Sequence, residues 1–237
     1  MNRLFISDLH LSDTTPKIEA ALAQLLLDSS LPDSLIILGD FFEVWVGDDD
    51  DAPIANRVRE LLCETSRRGC DISIARGNRD FMLGERFAAD IGASLLEDET
   101  LLTIAGQPAI LLHGDTLCTD DQDYQRFRTM VHDAGWQEEM MKKPLAERRE
   151  LARQLRALSI DAASNKPEDI MDVNAEAVTD LMAASGATLM IHGHTHRPDR
   201  HRLPEGERIV LGDWTDTSGW LLREQGETLT LEQFIIH

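Results

Sequence analysis

Met190-Ile-His-Gly-His-Thr-His-Arg-Pro198 places His192, His194 and His196 at alternate positions. The apolar run from Thr188 to Ile191 leads into them and predicts a buried strand. In an extended backbone alternate side chains share a face, so we expect the three imidazoles to point into one cleft. Imidazole is the commonest metal-ligating side chain, so the stretch indicates a metal site at a strand end. A polar loop with hydrogen-bonded histidines is the alternative.

Length and composition bound the class of protein. A chain of 237 residues is long enough for one large domain, or for a domain that carries an insertion. No apolar run approaches the roughly 20 residues that span a bilayer, and the first acid comes too early for a signal peptide. Cys63, Cys70 and Cys118 are too few and too widely spaced for a disulfide framework. We expect a cytoplasmic protein with reduced thiols.

The charge of the chain is strongly one-sided. A formal net charge of −20 at pH 7 argues against nucleic-acid binding, because phosphate recognition needs a basic field. The balance reverses locally, since residues 142–156 hold six bases against only Glu147 and Glu150. This basic stretch is predicted to form a unit of its own. No obligate protein partner is indicated.

Hydrophobic periodicity predicts an α/β architecture. Helical spacing covers 17–27 and 54–68, and a strand-poor helical region runs from Asp120 to about Ala184. The predicted strands, with a hairpin at Gly106-Gln-Pro108, cover 3–7, 34–38, 71–75, 101–104, 109–112, 188–191, 209–211, 220–223 and 228–235. Strands first alternate with helices and later pair in succession. We therefore predict a single domain over 1–237, a sandwich of two β-sheets flanked by helices, with a helical insertion near 120–170.

Five of these strands end in side chains that can bind metals. The side chains are Asp8, His10, Asp40, Asn78, His113, His194 and His196. They are expected to converge, because sites in α/β sheets form beyond the carboxyl ends of the strands. Carboxylate, amide and imidazole ligands suit Mn²⁺, Fe²⁺ or Zn²⁺. Seven ligands exceed the needs of one ion, so we predict a pair of ions sharing a carboxylate, and hydrolysis of a phosphoester or phosphoanhydride.

Five short motifs resemble a known family. They are Asp8-x-His10, Gly39-Asp-x-x-Glu43, Gly77-Asn-Arg-Asp80, His113-Gly-Asp115 and Gly193-His-Thr-His196, and in this order they resemble the motif blocks of the calcineurin-like metallophosphoesterases. The resemblance implies one metal held by Asp8, His10, Asp40 and His196. It implies a second held by Asp40, Asn78, His113 and His194, so that Asp40 is shared. His192 has no ligand role in that pattern, and we expect it to be structural.

The third motif departs from a form common in this family, Gly-Asn-His-Glu, whose histidine can protonate a leaving alkoxide. Arg79 takes that position, and a guanidinium stays protonated and cannot act as a general acid. An alkoxide with a conjugate-acid pKa comparable to that of water, about 15.7, then leaves poorly. A phosphomonoester, with a second pKa of about 6, needs no proton. We therefore predict a diphosphate substrate, with Arg79 stabilising charge on the leaving group.

Two interpretations of the basic stretch remain open. Leucines at 151, 155 and 158 fit an amphipathic helix packed on the core with a solvated basic face. The same pattern fits a basic, apolar lid over an anionic lipid or a membrane surface. We favour the lid, because the stretch stands out in a protein of such negative charge.

Longer stretches extend the resemblance over most of the chain. Among them are Ile37-Leu-Gly-Asp-Phe-Phe-Glu-Val-Trp45, His113-Gly-Asp-Thr-Leu-Cys-Thr119 and Val210-Leu-Gly-Asp-Trp214. They resemble the metallophosphoesterases that cleave a UDP-linked diacylglucosamine in lipid A biosynthesis, at the cytoplasmic face of the inner membrane. This likeness implies Mn²⁺, water attack on the α-phosphorus, and release of UMP and a diacylglucosamine 1-phosphate.

The same resemblance implies roles for individual residues. The implied catalytic residues are Asp40, Asn78 and Arg79, and the implied substrate contacts are Asn78, Arg79, Asp121, Ser159, Lys166 and His194. Ala163 stands where relatives carry a polar side chain, so that contact does not carry over.

Two other functions fit parts of the sequence. One is a soluble member of the superfamily that cleaves a nucleotide diphosphate or a cyclic nucleotide. The other is a metal-free scaffold that keeps the fold and binds proteins. The full ligand set favours an enzyme over a scaffold.

Overall fold

A computed structural model describes residues 2–27, 31–164 and 170–237 of the chain, without the side chains of 160–164. Its strands are β1 (Asn2–Ile6), β2 (Ser34–Leu38), β3 (Asp71–Ala75), β4 (Ala93–Leu95), β5 (Glu99–Ile104), β6 (Gln107–Leu112), β7 (Leu189–His192), β8 (Asp199–Leu203), β9 (Gly206–Val210), β10 (Ser218–Gln225) and β11 (Thr228–Ile235). Its helices are α1 (Pro16–Leu27), α2 (Pro53–Arg67), α3 (Glu85–Ile91), α4 (Gln122–Val131), α5 (Ala134–Met141), α6 (Leu145–Ser164) and α7 (Ala175–Ser185).

The strands form two sheets, as the sequence predicts. The six-stranded sheet has the order β11-β10-β1-β2-β3-β4, with β1 to β4 parallel and β10 and β11 antiparallel. The five-stranded sheet has the order β5-β6-β7-β9-β8, with β6, β7 and β9 parallel. The carboxyl ends of β1, β2 and β3 therefore lie along one sheet edge, and those of β6 and β7 along an edge of the other.

Alternating side chains of each strand enter different cores. Phe5 and Ile36 of the six-stranded sheet pack between the sheets with Ile191 and Ile209 of the other. The next residues along β1 and β2 face outward, onto helices α1 to α3. Helix α7 covers the outer face of the five-stranded sheet. Because central strands are buried on both faces, they read in the sequence as continuous apolar runs.

Three short elements escape the hydrophobic pattern. Helix α3 and strand β4 follow β3 directly, and β8 is a polar edge strand, Asp-Arg-His-Arg-Leu, paired on one side only. The prediction that the histidine triplet is extended is wrong. Strand β7 ends at His192, and the backbone then turns through left-handed conformations at His194 (φ 67°) and His196 (φ 55°). The contacts of the following turn, not strand periodicity, aim these two imidazoles.

Helix α6 carries most of the basic stretch, and several of its arginines pair with acids of the loop after β2. Arg148 is buried and donates to the carbonyl oxygen of Val46 and to Asp49. Arg149 pairs with Asp50 and Asp51. Together with Arg156, which pairs with Glu43, half of the six bases predicted to face an anionic surface are thus paired with acids of this loop. In the part of the chain that the structure describes, no helix has the length and apolarity needed to cross a membrane.

Candidate metal centre and cleft

The seven predicted ligands come together where the two sheets meet. The six-stranded sheet supplies Asp8, His10, Asp40 and Asn78, and the five-stranded sheet supplies His113, His194 and His196. Ligand atoms of Asp8, His10 and His196 lie within 4.8 Å of one another. The same holds for Asp8, Asp40 and His113. The convergence of strand ends is confirmed by this geometry, whereas the individual ligand roles stay predictions.

Asp40 lies between two groups of nitrogen donors. Its Oδ2 is 4.0 Å from Nδ1 of His10, and its Oδ1 is 3.7 Å from Nε2 of His113. On the side of His113, Asn78 Oδ1 lies 3.0 Å from His113 Nε2 and 2.8 Å from His194 Nδ1. The two oxygens of one carboxylate thus face different imidazoles, which is the arrangement that a shared ligand requires.

Backbone strain is concentrated at these positions. Six non-glycine residues of the described ranges have a positive φ, and five of them are the predicted ligands Asp8, His10, Asp40, His194 and His196. A left-handed conformation is unfavourable for residues with a side chain and persists only where surrounding contacts enforce it. The orientation of these side chains therefore lowers the conformational stability of the folded state.

Asp80 is one source of that enforcement. Its buried carboxylate accepts hydrogen bonds from the backbone N–H groups of Gly77, Asp40, Phe41 and Phe42. One side chain thereby ties the turn after β3 to the turn after β2. Gly77 is required at this approach, because a Cβ there would lie 2.2 Å from the backbone nitrogen of Asp40.

The second sheet is joined to the first by similar contacts. The backbone N–H of His194 donates to the Asp8 carboxylate at 3.0 Å. Nδ1 of His113 lies 2.9 Å from the carbonyl oxygen of Leu38 and donates to it, which leaves Nε2 facing Asp40 and Asn78. A hydrogen bond from one ring nitrogen fixes which nitrogen is left for a metal.

Burial and the charges of neighbouring groups shift the pKa values of the clustered side chains. Burial raises the pKa of the Asp40 carboxyl to about 7, and the negative charge of Asp8 adds to the shift although His113 opposes it. Burial lowers the pKa of His10 to about 3 and that of His194 to about 4, so both imidazoles are neutral at pH 7. For His113, burial lowers the pKa, but the charges of Asp40 and Asp8 outweigh it and raise the value to about 9.

These features fit divalent cations. Buried carboxylates that lie close together need a compensating positive charge, and neutral imidazoles are the form that ligates metals. The donor set of oxygen and nitrogen atoms, free of thiolates, suits Mn²⁺, Fe²⁺ or a catalytic Zn²⁺.

A cleft of about 550 Å³ opens beside the ligands. Of the predicted substrate contacts, it is lined by Asn78, Arg79, Asp121, Ser159 and His194. Lys166 lies outside the described residues, and so does the side chain of Ala163. The structure thus brings five of the six predicted contacts to one cleft, and their roles in binding stay predictions.

His192 lies apart from the cleft. Its ring is completely buried, with Nδ1 2.9 Å from the carbonyl oxygen of Gly193 and Nε2 3.4 Å from Arg208. Burial lowers the pKa of His192 to about 3, with the charge of Arg208 acting in the same direction. These surroundings fit the structural role predicted for it.

Several residues at the site have no role in the sequence-based prediction. Tyr124 donates to Asp115 at 2.6 Å, and its ring lies 6.0 Å from that of His194. Asp213 is 3.6 Å from Nδ1 of His196. Tyr124 and Asp213 reach the site through contacts between distant parts of the chain, which no local sequence pattern predicts. The motif Gly39-Asp-x-x-Glu43 does include Glu43, but spacing alone gives that acid no partner.

A smaller, apolar cavity of about 80 Å³ adjoins the cleft. It lies between the loop after β2, the turn after β3 and helices α5 and α6, and its apolar walls are Trp45, Phe81, Trp136, Met140 and Leu155. Asn78, Arg79 and Ser159 line both spaces. An elongated molecule could therefore place a polar group at the metal ligands and an apolar group under α6.

A two-sheet sandwich with carboxylate, amide and imidazole groups at the strand ends defines a metal-dependent phosphoesterase. The chain belongs to the calcineurin-like phosphoesterase family, whose model matches residues 1–198. Two relatives at full length are the UDP-2,3-diacylglucosamine hydrolases of Cellvibrio japonicus and Marinobacter nauticus. The first is 46% identical, with 100% of both chains covered, and the second is 44% identical, with 98% of this chain and 97% of the relative covered.

Solved structures support the fold alone. An archaeal phosphodiesterase has a TM-score of 0.51 at 16% identity, with 99% of each chain covered. Vacuolar protein sorting 29 from Cryptosporidium parvum also has a TM-score of 0.51, at 12% identity, with 99% of this chain and 96% of that chain covered.

Proposed function

We propose that the protein hydrolyses the diphosphate bond of UDP-2,3-diacylglucosamine, with water attacking the α-phosphorus and UMP and 2,3-diacylglucosamine 1-phosphate (lipid X) as products. The activity for which its full-length relatives are named supports this substrate. The main structural support is that a cleft at the candidate metal ligands adjoins an apolar cavity under α6.

Two divalent ions, which we propose to be Mn²⁺, would be held by the seven clustered ligands, with Asp40 shared. Such a pair supplies positive charge to phosphoryl oxygens and lowers the pKa of water, so that hydroxide is available at neutral pH. The protein's own part is to hold the ligands at fixed spacing before substrate arrives, through Asp80, Asp8 and the Leu38 carbonyl group.

We assign to Arg79 the role of acting on the leaving phosphate. Its Nη1 donates to Glu43 at 3.1 Å, and its Nε is buried without a hydrogen-bond partner, 3.8 Å from Asp40 Oδ2. The guanidinium thus has donor capacity available within the cleft. Because it remains protonated throughout, it stabilises the charge of the departing phosphomonoester and transfers no proton.

Exposed apolar and basic side chains of the helical segment 122–164 support an acylated, membrane-borne substrate. Met130, Met141 and Leu158 expose 45%, 43% and 67% of their surface, and Arg153 of α6 is also exposed. Exposed apolar and basic side chains together favour a surface of anionic lipid. We propose peripheral association with the cytoplasmic face of the inner membrane, with α6 as a lid over the acyl chains.

The decisive experiment compares two substrates. Purified protein with Mn²⁺ is given UDP-2,3-diacylglucosamine or UDP-N-acetylglucosamine in H₂¹⁸O, and UMP is analysed by mass spectrometry. We expect UMP mainly from the acylated substrate, with ¹⁸O in the UMP because water attacks the α-phosphorus. Label in the sugar phosphate would contradict that position of attack. A preference for the non-acylated substrate would support the soluble nucleotide hydrolase, and failure to take up metal would support the scaffold.

A further inference from the structure

Glu43 touches three functional parts of the molecule at once. Its Oε1 accepts hydrogen bonds from Arg79 Nη1 at 3.1 Å and from Arg156 Nε at 2.7 Å. Its Oε2 lies 3.4 Å from Nδ1 of the candidate ligand His10. Arg79 follows β3, His10 follows β1 and Arg156 belongs to α6, so a single carboxylate links both turns to the lid helix.

The backbone of Glu43 is itself anchored to the strand ends. Its N–H donates to the carbonyl oxygen of Leu11 at 3.0 Å, and Leu11 forms an isolated bridge with Phe42. The carboxylate therefore projects from a turn whose backbone is bonded to the segment after β1. Its position is thus tied to the positions of β1 and β2. The lid helix, by contrast, contributes to the contact through one long arginine side chain.

The two nitrogens of His10 face different surroundings. Nε2 lies 3.3 Å from Nε2 of His196, on the side of the ligand group, whereas Nδ1 faces Glu43 and, at 4.0 Å, Asp40. Metal-ligating histidines usually donate their other N–H to a carboxylate, which fixes the ring. Nδ1 is buried without a hydrogen-bond partner, and Glu43 is the nearer of the two carboxylates to it.

We propose that Glu43 is a positioning residue that orients His10 as a metal ligand and, through Arg156, couples the seating of helix α6 to the metal centre. A lid fixed over the cleft holds the carboxylate in place, and the carboxylate holds the imidazole. The inference rests on the metal centre of the proposed function, but it does not depend on the identity of the substrate.

The chain offers a matched control on the same helix. Arg149 also pairs with acids of the loop after β2, namely Asp50 and Asp51, but it does not contact Glu43. Arg156→Lys and Arg149→Lys each keep a positive charge and remove the guanidinium. A general loosening of α6 would affect metal binding equally in both variants, whereas the proposed coupling distinguishes them.

The experiment measures Mn²⁺ binding by electron paramagnetic resonance, without substrate. Glu43→Gln keeps the size of the side chain and should weaken Mn²⁺ binding by roughly 10- to 100-fold, the usual effect of losing such a partner. Arg156→Lys should weaken it several-fold when Glu43 is present and should have no effect in the Glu43→Gln background. Arg149→Lys should bind Mn²⁺ like the wild type. Thermal unfolding of the metal-free variants verifies that each one folds.

Hydrogen exchange gives a second readout that a merely structural role would not move. Mn²⁺ should slow exchange of the backbone amides of α6 in the wild type and leave them unchanged in Glu43→Gln. The proposal is overturned if Glu43→Gln binds Mn²⁺ as the wild type does, or if the metal-induced protection of α6 survives in that variant. If the wild type binds Mn²⁺ with these couplings but does not hydrolyse UDP-2,3-diacylglucosamine, only the proposed substrate is wrong.

Discussion

The ligand cluster and helix α6 face each other across the cleft but are built in different ways. The cluster follows central strands buried on both faces, and its backbone is fixed by buried hydrogen bonds such as those of Asp80. Helix α6 is attached by side-chain ion pairs, from Arg148 and Arg149 at one end to Arg156 further along. The candidate ligands thus lie on the part of the molecule that is fixed by its backbone, whereas the proposed lid is held by side chains.

The largest effect is expected at the shared ligand. Asp40→Ala should abolish turnover, because both candidate ion positions lose the carboxylate that lies between their imidazoles. Metal content and turnover are measured together, with the exposed acid Asp216 changed to alanine as the control. Retention of two ions by Asp40→Ala would contradict the bridging role.

Arg79→Ala should reduce turnover without removing metal. The loss of one charged donor at the leaving group is expected to lower kcat by roughly 10²- to 10³-fold, as for other preorganised transition-state donors. Steady-state kinetics and metal analysis test this, and Arg79→Lys should recover part of the rate. Metal loss in the alanine variant would place Arg79 among the groups that support the ligands instead.

On the lid side, a smaller and substrate-dependent effect is expected. Leu155 lines both the cleft and the apolar cavity. Leu155→Ser should raise KM for the acylated substrate roughly 4- to 15-fold, since about 0.8 kcal/mol is lost for each buried methylene contact. KM for UDP-N-acetylglucosamine should stay constant, as should both values in Leu102→Ser, a control on β5. An equal change for both substrates would refute an acyl-binding role.

The smallest effect belongs to an exposed ion pair of the lid. Arg153 pairs with Glu150 one turn away, and both side chains are largely exposed. Arg153→Met should change the free energy of unfolding by less than about 1 kcal/mol and leave kcat unaltered. Chemical denaturation provides the measurement, and a larger loss would show that α6 depends on its surface pairs more than its burial implies.

Much of the central sheet can be predicted from the sequence. Strands β2, β3 and β11 have the predicted bounds, and α1 begins one residue earlier than predicted, at Pro16. Buried strands and amphipathic helices leave a regular pattern of apolar residues, which single-sequence reasoning detects. The polar edge strand β8 leaves no such pattern, because it buries little and bonds to one neighbour.

The candidate site could be located but not oriented from the sequence. Strand ends identify which side chains meet, because all the parallel strands of a sheet end at one edge. They do not predict the left-handed turns at His194 and His196, which depend on tertiary contacts such as that of the His194 N–H with Asp8. The pair of Glu43 and Arg156 joins residues 113 positions apart, and no local pattern reports such a contact.

The division of the ligands between two sheets has a consequence for how metal affinity can be tuned. Any sliding or separation of the sheets moves His113, His194 and His196 as a group relative to the other four ligands. Substitutions at fully buried inter-sheet positions such as Ile209 should therefore alter affinity from a distance, with no ligand changed. Bound ions in turn would link the two sheets through their shared ligands and stabilise the native state by mass action. Packing in the hydrophobic layer between the sheets should thus change the metal affinity without any change in the coordinating groups.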